Sequence, residues 1–331
     1  MIKIKLKVKF LKLSAGLPVV MVNKKIADKI GVHAHDRILI RTLKRRPKEV
    51  FSVVDVIEKI IKENEILVSS EIKKRLGLKI GQRVDVNFAP SPRSLKFIKN
   101  KLNKQILNLR QIKAIISDVV SNSLSEAEIA LFVSAMYKNG MNFNEIVFLI
   151  KAILETGNKL RLRGKKIVDK HSIGGVAGNR TTPIVVAICA AAGLVMPKNS
   201  SRAITSAAGT ADVIETVARV DFSISELKKI IKKTNACLIW GGGLGIVPAD
   251  SKIIRIEKIL KIDPEAQLLA SIMSKKLAMG SNHILIDIPY GKGAKVGRAK
   301  ALNLKKKFEK LGKIIQRKII KLEQEKKCNM L

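Results

Sequence analysis

The stretch KIVDKHSIGGVAGNRTTPIVVAICAAAGLVM, Lys166–Met196, sets the reading of the fold. KIVDK has the length and apolar content of a short strand. A loop with Gly174, Gly175 and Gly178 follows, and from Thr181 and Thr182 the pattern becomes an apolar helix. Strand, glycine loop and helix in that order make a unit of parallel α/β structure. ACLIW (Ala236–Trp240) and HILIDIP (His283–Pro289) read as further strands, with helical patterns between them. In a parallel sheet, ligands sit beyond the carboxyl ends of the strands. The loop after KIVDK lies at such an end. Its glycines let backbone N–H groups approach an oxyanion, Lys170 adds a point charge, and Ser172 adds a donor. The helix that follows turns its positive end toward the same loop. The glycine spacing matches neither a P-loop nor a dinucleotide fingerprint.

A second stretch, NSSRAITSAAGTADVIE (Asn199–Glu215), gathers Ser200, Ser201, Arg202, Thr205, Ser206 and Thr210 around small residues. Thr210 reads as the N-cap of the helix that starts at ADVIE. The pattern fits either a plain cap and loop or a second wall of one anion site. Asp263, before Pro264, reads as an N-cap with proline at N1. Ser271 and Lys275 are one helical turn apart and share a face. Lys275 and Lys276 also read as solvated lysines, His171 as a structural partner of a carbonyl, His33 and His35 as surface residues, and Trp240 as packing.

Upstream the texture differs. VNKKIADKIGVHAHDRILI (Val22–Ile40) aligns without gaps to VSSEIKKRLGLKIGQRVDV (Val68–Val86). Each copy reads as a strand end, a short helix stopped by glycine (Gly31, Gly77) and a second strand. Two such halves, completed by the alternating N-terminus and by EVFSVVDV (Glu49–Val56), predict a pseudo-symmetric β-barrel over 1–88. The prolines of APSPR (Ala89–Arg93) mark a linker. A helical domain is expected over 93–160, with capping boxes at Ser125/Glu128 and Asn142/Glu145. The α/β domain takes 161–331, and the pattern from Lys305 onward reads as a basic helix.

The length of 331 residues calls for two or three domains, and no apolar run is long enough to span a membrane. A net charge of +37 suggests a polyanion partner, but aromatics are only 4% and the lysines are spread along the whole chain. Nucleic acid is therefore not the expected partner, and a small anionic ligand is. The three cysteines, Cys189, Cys237 and Cys328, have neither metal-ligand nor disulfide spacing, which fits a reducing cytoplasm.

DKHSIGGVAGNRTTP (Asp169–Pro183), SSRAITSAAGTADVIE (Ser200–Glu215) and IDPEAQLLASIMSKKLAMGS (Ile262–Ser281), in that order, resemble the thymidine/pyrimidine-nucleoside phosphorylase family, and within it the archaeal AMP phosphorylase branch. The resemblance runs over nearly the whole chain, and the extra N-terminal β-domain is a feature of that branch. It implies a pentosyltransferase of nucleotide salvage. Inorganic phosphate, as co-substrate, would attack the sugar of AMP, and of CMP or UMP, releasing the base and ribose 1,5-bisphosphate. No metal or organic cofactor is implied, and a homo-oligomer is expected. By the same resemblance Lys170, Ser172, Ser200 and Thr210 bind phosphate. Gly175, Ser201, Arg202, Ala203, Ile204, Thr205, Ser206, Thr210, Ser271, Lys275 and Lys295 bind AMP, with Ser271 and Lys275 at the base. Asp263 matches the proton donor. GIVPAD (Gly245–Asp250) departs from the family's usual wording, and the family continues where this chain ends in KIIQRKIIKLEQEKKCNML, so the α/β domain is expected to be incomplete and the C-terminal domain absent. A thymidine or pyrimidine nucleoside substrate, or a truncated non-catalytic, RNA-binding subunit, are the alternatives.

Overall fold

The computed structural model describes residues 4–11, 16–162, 166–174, 181–202, 208–315 and 318–322. Two compact units emerge: Met1–Lys96 with Asp118–Glu128, and Phe97–Ser117 with Ile129–Leu331.

The first unit is built on a closed six-stranded barrel. Its elements are β1 (Ile4–Phe10), β2 (Val19–Asn23), α1 (Lys24–Ile30), β3 (Arg37–Thr42), β4 (Glu49–Ile57), β5 (Glu65–Val68), α2 (Ser70–Leu76) and β6 (Arg83–Phe88), with strand order β1-β5-β2-β4-β3-β6. The internal repeat appears as β2–α1–β3 and β5–α2–β6. β2 runs parallel to β4 as β5 runs parallel to β1, and β3 and β6 are antiparallel to those same partners. The halves interlock through antiparallel β2–β5 and β3–β6 pairs. Both repeat helices end on a left-handed glycine, Gly31 at φ 69° and Gly77 at φ 64°, where a side chain would be strained. Alternate residues point inward, and Leu6, Val20, Ile38, Val54, Ile66 and Val86 fill the interior. Closure leaves the barrel no open edge. Arg37 of β3 donates to both oxygens of Glu128, at 3.0 and 2.8 Å, and Glu128 also completes the expected capping box with Ser125.

The helices are α3 (Ser94–Leu102), α4 (Leu109–Ser121), α5 (Glu126–Asn139) and α6 (Phe143–Glu155). The Asn142/Glu145 capping box forms at the head of α6. Glu145 does more than cap. Its buried carboxylate pairs with Lys101 at 2.8 Å and accepts from the Leu107 N–H at 2.9 Å, which ties three segments of the second unit together.

The α/β part comprises β7 (Val168–Ser172), α7 (Thr181–Ala191), β8 (Met196–Ser200), α8 (Thr210–Glu215), α9 (Ile224–Thr234), β9 (Ala236–Trp240), α10 (Pro248–Leu260), α11 (Glu265–Ala278), β10 (His283–Asp287), α12 (Arg298–Ile315) and β11 (Lys318–Leu322). β11, β10 and β7 form one parallel sheet and β8 with β9 another. A parallel bridge between Ile167 and Val195 joins the two beside β7 and β8. Every strand therefore presents its carboxyl end at the same edge. The helical reading of the tail is corrected: α12 stops at Ile315, and Lys318–Leu322 pairs with β10. The isoleucine pair in KIIKL favours a strand, and an open parallel neighbour lets the segment adopt one.

Candidate active site at the carboxyl ends of the strands

KIVDK becomes β7, and it carries two buried charges in succession because both of its faces are covered. Lys170 pairs with Asp287, at the end of β10, at 3.0 Å and donates to the Thr181 hydroxyl at 3.2 Å. An ammonium has three N–H donors. Two are used among the described residues, which leaves a third for an incoming oxyanion. Asp169 pairs with Lys276 of α11 at 2.9 Å, both fully buried, and with Lys198 of β8 at 3.6 Å. Lys198 also donates to the Lys170 carbonyl at 2.7 Å, holding β7 and β8 side by side.

Three ammonium groups thus share two carboxylates, and the crowding shows in the proton affinity of Lys198. Lys198 is pushed down to about 7 by burial and the Lys276 charge, against the pull of Asp169. His171 is held well below its ordinary range by burial and by Lys276, Lys198, Lys275 and Lys170, so its ring is neutral at physiological pH. Its Nδ1 has no hydrogen-bond partner among the described residues. Burial, with the Asp169 charge, pushes the Cys237 thiol up to about 12.

At the end of β8, Ser200 is buried and its hydroxyl has no partner among the described residues. Ser172 ends β7, its hydroxyl accepting from the Gly174 N–H at 3.3 Å. The Ala211 N–H donates to the Ser201 carbonyl at 3.3 Å, which anchors the start of α8 to the segment after β8. Thr210 is the first residue of α8 and not its cap. Gly209 holds the cap position instead: its carbonyl accepts from the Val213 N–H at 3.2 Å, and its N–H donates to Asp212 at 2.8 Å. Gly175, Ala203, Ile204, Thr205 and Ser206 lie outside the described residues, as do Ala177, Gly178 and Arg180. Arg202 is tied down. It forks onto Glu215 at 2.5 and 2.8 Å, reaches Asp212 at 3.0 Å, and lies 4.7 Å over the Trp240 ring, so Trp240 carries a guanidinium on its face.

A second cluster sits between α10 and α11. Lys275 pairs with Asp250 at 2.7 Å and donates to the Ser271 hydroxyl at 2.7 Å, while Gln267 donates to Asp250 at 3.0 Å. The solvated reading of Lys275 and Lys276 is therefore overturned: both are buried, and these adjacent residues reach two different acidic partners. Asp263 does not cap α11; Pro264 occupies that position and Asp263 is ion-paired with Lys295. Proline's fixed φ suits the residue entering a helix, so the carboxylate one position earlier is released to meet a lysine. Glu257, buried in the last turn of α10, is pushed up to about 8 by burial, Asp263 and Asp250.

The sequence reading missed Asp169, Asp287, Lys198, Asp250 and Glu257. Charged residues embedded in apolar strands, as in KIVDK and HILID, were the available signal, because an aspartate inside a buried strand needs a cation beside it. Their ion pairs cross 25 to 117 positions of sequence and have no local trace.

Two descriptions of the glycosyl transferase family match this chain: the helical bundle domain over residues 95–157 and the a/b domain over 164–299. Together they take in more than half of it. The chain belongs to this glycosyl transferase family. Among curated family relatives, the AMP phosphorylase of Thermococcus sibiricus is 44% identical over 93% of this chain, and that of Methanococcus vannielii 41% identical over 94%. The chain spans 61% of the length of each. AMP phosphorylase 1 of Archaeoglobus fulgidus is 40% identical over 90% of the chain. The structure of anthranilate phosphoribosyltransferase from Thermus thermophilus shares the fold, with a TM-score of 0.50 at 18% identity, over 58% of this chain and 57% of that one. The glycosyl transferase bundle and α/β domain thus coincide with α3–α6 and with β7 to the start of α12.

Proposed function

We propose that this chain carries the phosphorolysis site of an AMP phosphorylase. Inorganic phosphate attacks the anomeric carbon of AMP, the glycosidic C–N bond breaks, and the base leaves with a proton while ribose 1,5-bisphosphate forms. CMP and UMP are further candidate substrates. The observation that carries this reading is the pair of neighbouring strand ends. Lys170 on β7 has donor capacity to spare, and Ser200 on β8 offers a buried, unpartnered hydroxyl. A desolvated oxyanion needs donors of that kind, fixed before it arrives. Ser172 and the Thr210 helix stand at the same sheet edge.

In this reading the Ser271–Lys275 pair holds the base, and the Lys295–Asp263 pair opens when the 5′-phosphate draws Lys295 away, so that Asp263 faces the departing base. Arg202 and the residues around it line the nucleotide site. The chemistry needs an anion cradle, a base anchor and a proton, all of which side chains supply, so the protein works without a metal or organic cofactor. The relatives' name, AMP phosphorylase, supports small-molecule substrates, AMP and phosphate; a cytoplasmic homo-oligomer is part of the same proposal. None of the described helices is long and apolar enough to cross a membrane.

The test is base release from AMP, CMP, UMP, GMP and IMP, with thymidine alongside, with and without phosphate. Phosphate-dependent release from AMP is expected. Release from thymidine alone would reassign the substrate, and salt-sensitive RNA binding without any release would defeat the reading.

A further inference from the structure

Glu257 is the side chain that these roles leave without work. It is 7% exposed, and its Oε1 has no hydrogen-bond partner among the described residues. A buried carboxylate oxygen without a donor is expensive, whereas a neutral carboxyl loses less on desolvation and carries its own O–H. The surroundings act in that direction. Burial raises its proton affinity most, Asp263 and Asp250 raise it further, and Lys275 and Lys295 oppose them without prevailing. α6 packs against both α10 and α11, and its buried residues are apolar except Glu145, which is committed to Lys101.

The backbone brings Glu257 and Asp263 to one turn. Lys261 ends α10 in the left-handed region at φ 53°, and the N–H groups of Lys261 and Ile262 both return to the Glu257 carbonyl, the second at 3.2 Å. Asp263 follows directly, partly exposed and paired with Lys295. One carboxyl of the turn is therefore buried and short of partners, and the other is held by a cation that a nucleotide phosphate would attract. Once Lys295 leaves, the turn between α10 and α11 carries two carboxyl groups and one cation fewer beside them.

Building on the phosphorolysis reading, we propose that Glu257 and Asp263 form a carboxyl pair sharing one proton, and that Glu257 is the positioning residue that stores it for the departing base. As the C1′–N bond breaks, its electron pair passes to the base and a phosphate oxygen completes the new C1′–O bond. The one shared proton passes from Glu257 through Asp263 to a ring nitrogen of the base. The pair enters with one proton and ends with none; water restores it after the products leave. A donor that holds its proton near the working pH is the effective one.

The experiment compares the wild-type chain with Glu257→Gln, whose amide keeps the shape and neutrality of the acid but has no transferable proton. Wild-type kcat with AMP is expected to fall above about pH 8. The variant is expected to lose on the order of 100-fold in kcat, to keep its KM for phosphate, and to lose the alkaline limb. Infrared difference spectra without substrate give a second readout. A protonated-carboxyl band should be present in the wild type, absent from Glu257→Gln, and should titrate at lower pH in Asp263→Asn. Wild-type kcat with an intact alkaline limb in Glu257→Gln, or no such band in the wild type, overturns the shared proton. A wild-type chain that shows the band yet releases base from no nucleotide supports the shared proton and defeats the phosphorolysis reading instead.

Discussion

Replacing Lys276 by methionine removes half of a fully buried ion pair. Lys276 and Asp169 are both at 0% exposure, 2.9 Å apart, and the next cation, Lys198, is 3.6 Å from Asp169. Methionine fills most of the lysine volume, so the loss is electrostatic and not a cavity. Breaking such a pair leaves a buried carboxylate that, among the described residues, Lys198 alone pairs with, and costs about 3–5 kcal/mol. Part of that is offset. Lys276 is one of the charges holding Lys198 down near 7, so its removal lets Lys198 take up a proton and approach Asp169 electrostatically. The expected loss is therefore at the low end, about 3 kcal/mol, or roughly 6–12 °C in Tm for a unit of this size. Guanidinium unfolding followed by the fluorescence of Trp240, the chain's one tryptophan and the last residue of β9, reports on this unit. The companion variant Asp169→Leu/Lys276→Met should recover part of that loss, since an apolar pair can replace a buried ionic one. A single variant within 0.5 kcal/mol of wild type (about the resolution of such comparisons), or a double variant no better than the single, would refute the reasoning.

Three further outcomes are expected. Lys170→Ala should raise the KM for phosphate in the base-release assay, and an unchanged KM removes Lys170 from the cradle. Glu257 should make the fold less stable as pH rises. Its carboxyl keeps its proton to about 8 when folded but sheds it near 4.5 when unfolded, so its contribution is complete below the lower value and is lost toward the upper one. The slope is up to about 1.4 kcal/mol per pH unit, and chemical denaturation between pH 5 and 8 should show it in the wild type and not in Glu257→Gln. Gly157→Ala places a Cβ 1.9 Å from the Ile246 carbonyl oxygen, a backbone atom with no rotamer to yield, so a loss of about 1–3 kcal/mol should appear in the same denaturation assay.

Much of this protein was open to reading from local pattern alone. The duplicated strand–helix–strand unit stands in the ungapped match of Val22–Ile40 to Val68–Val86, and its two glycine stops fall where left-handed backbone was needed. The capping boxes at Ser125 and Asn142 are local hydrogen-bond devices, and so are legible in four residues. The parallel character of the α/β region followed from the order of its apolar runs. Polar partnerships could not be read this way. Asp169 finds Lys276 and Lys198, Lys170 finds Asp287, and Lys275 finds Asp250 only because parallel crossovers bring distant strands and helices into register. A lysine in a lysine-rich chain looks solvated until the fold withdraws water from it. The tail strand, too, depended on an available neighbour in β10. Periodicity and turn chemistry act over a few residues, and these the amino-acid order determined. Which charges share a dry interior, and so where protons reside, was settled only by tertiary structure, because Coulomb interactions depend on distance and dielectric in space and not on separation along the chain.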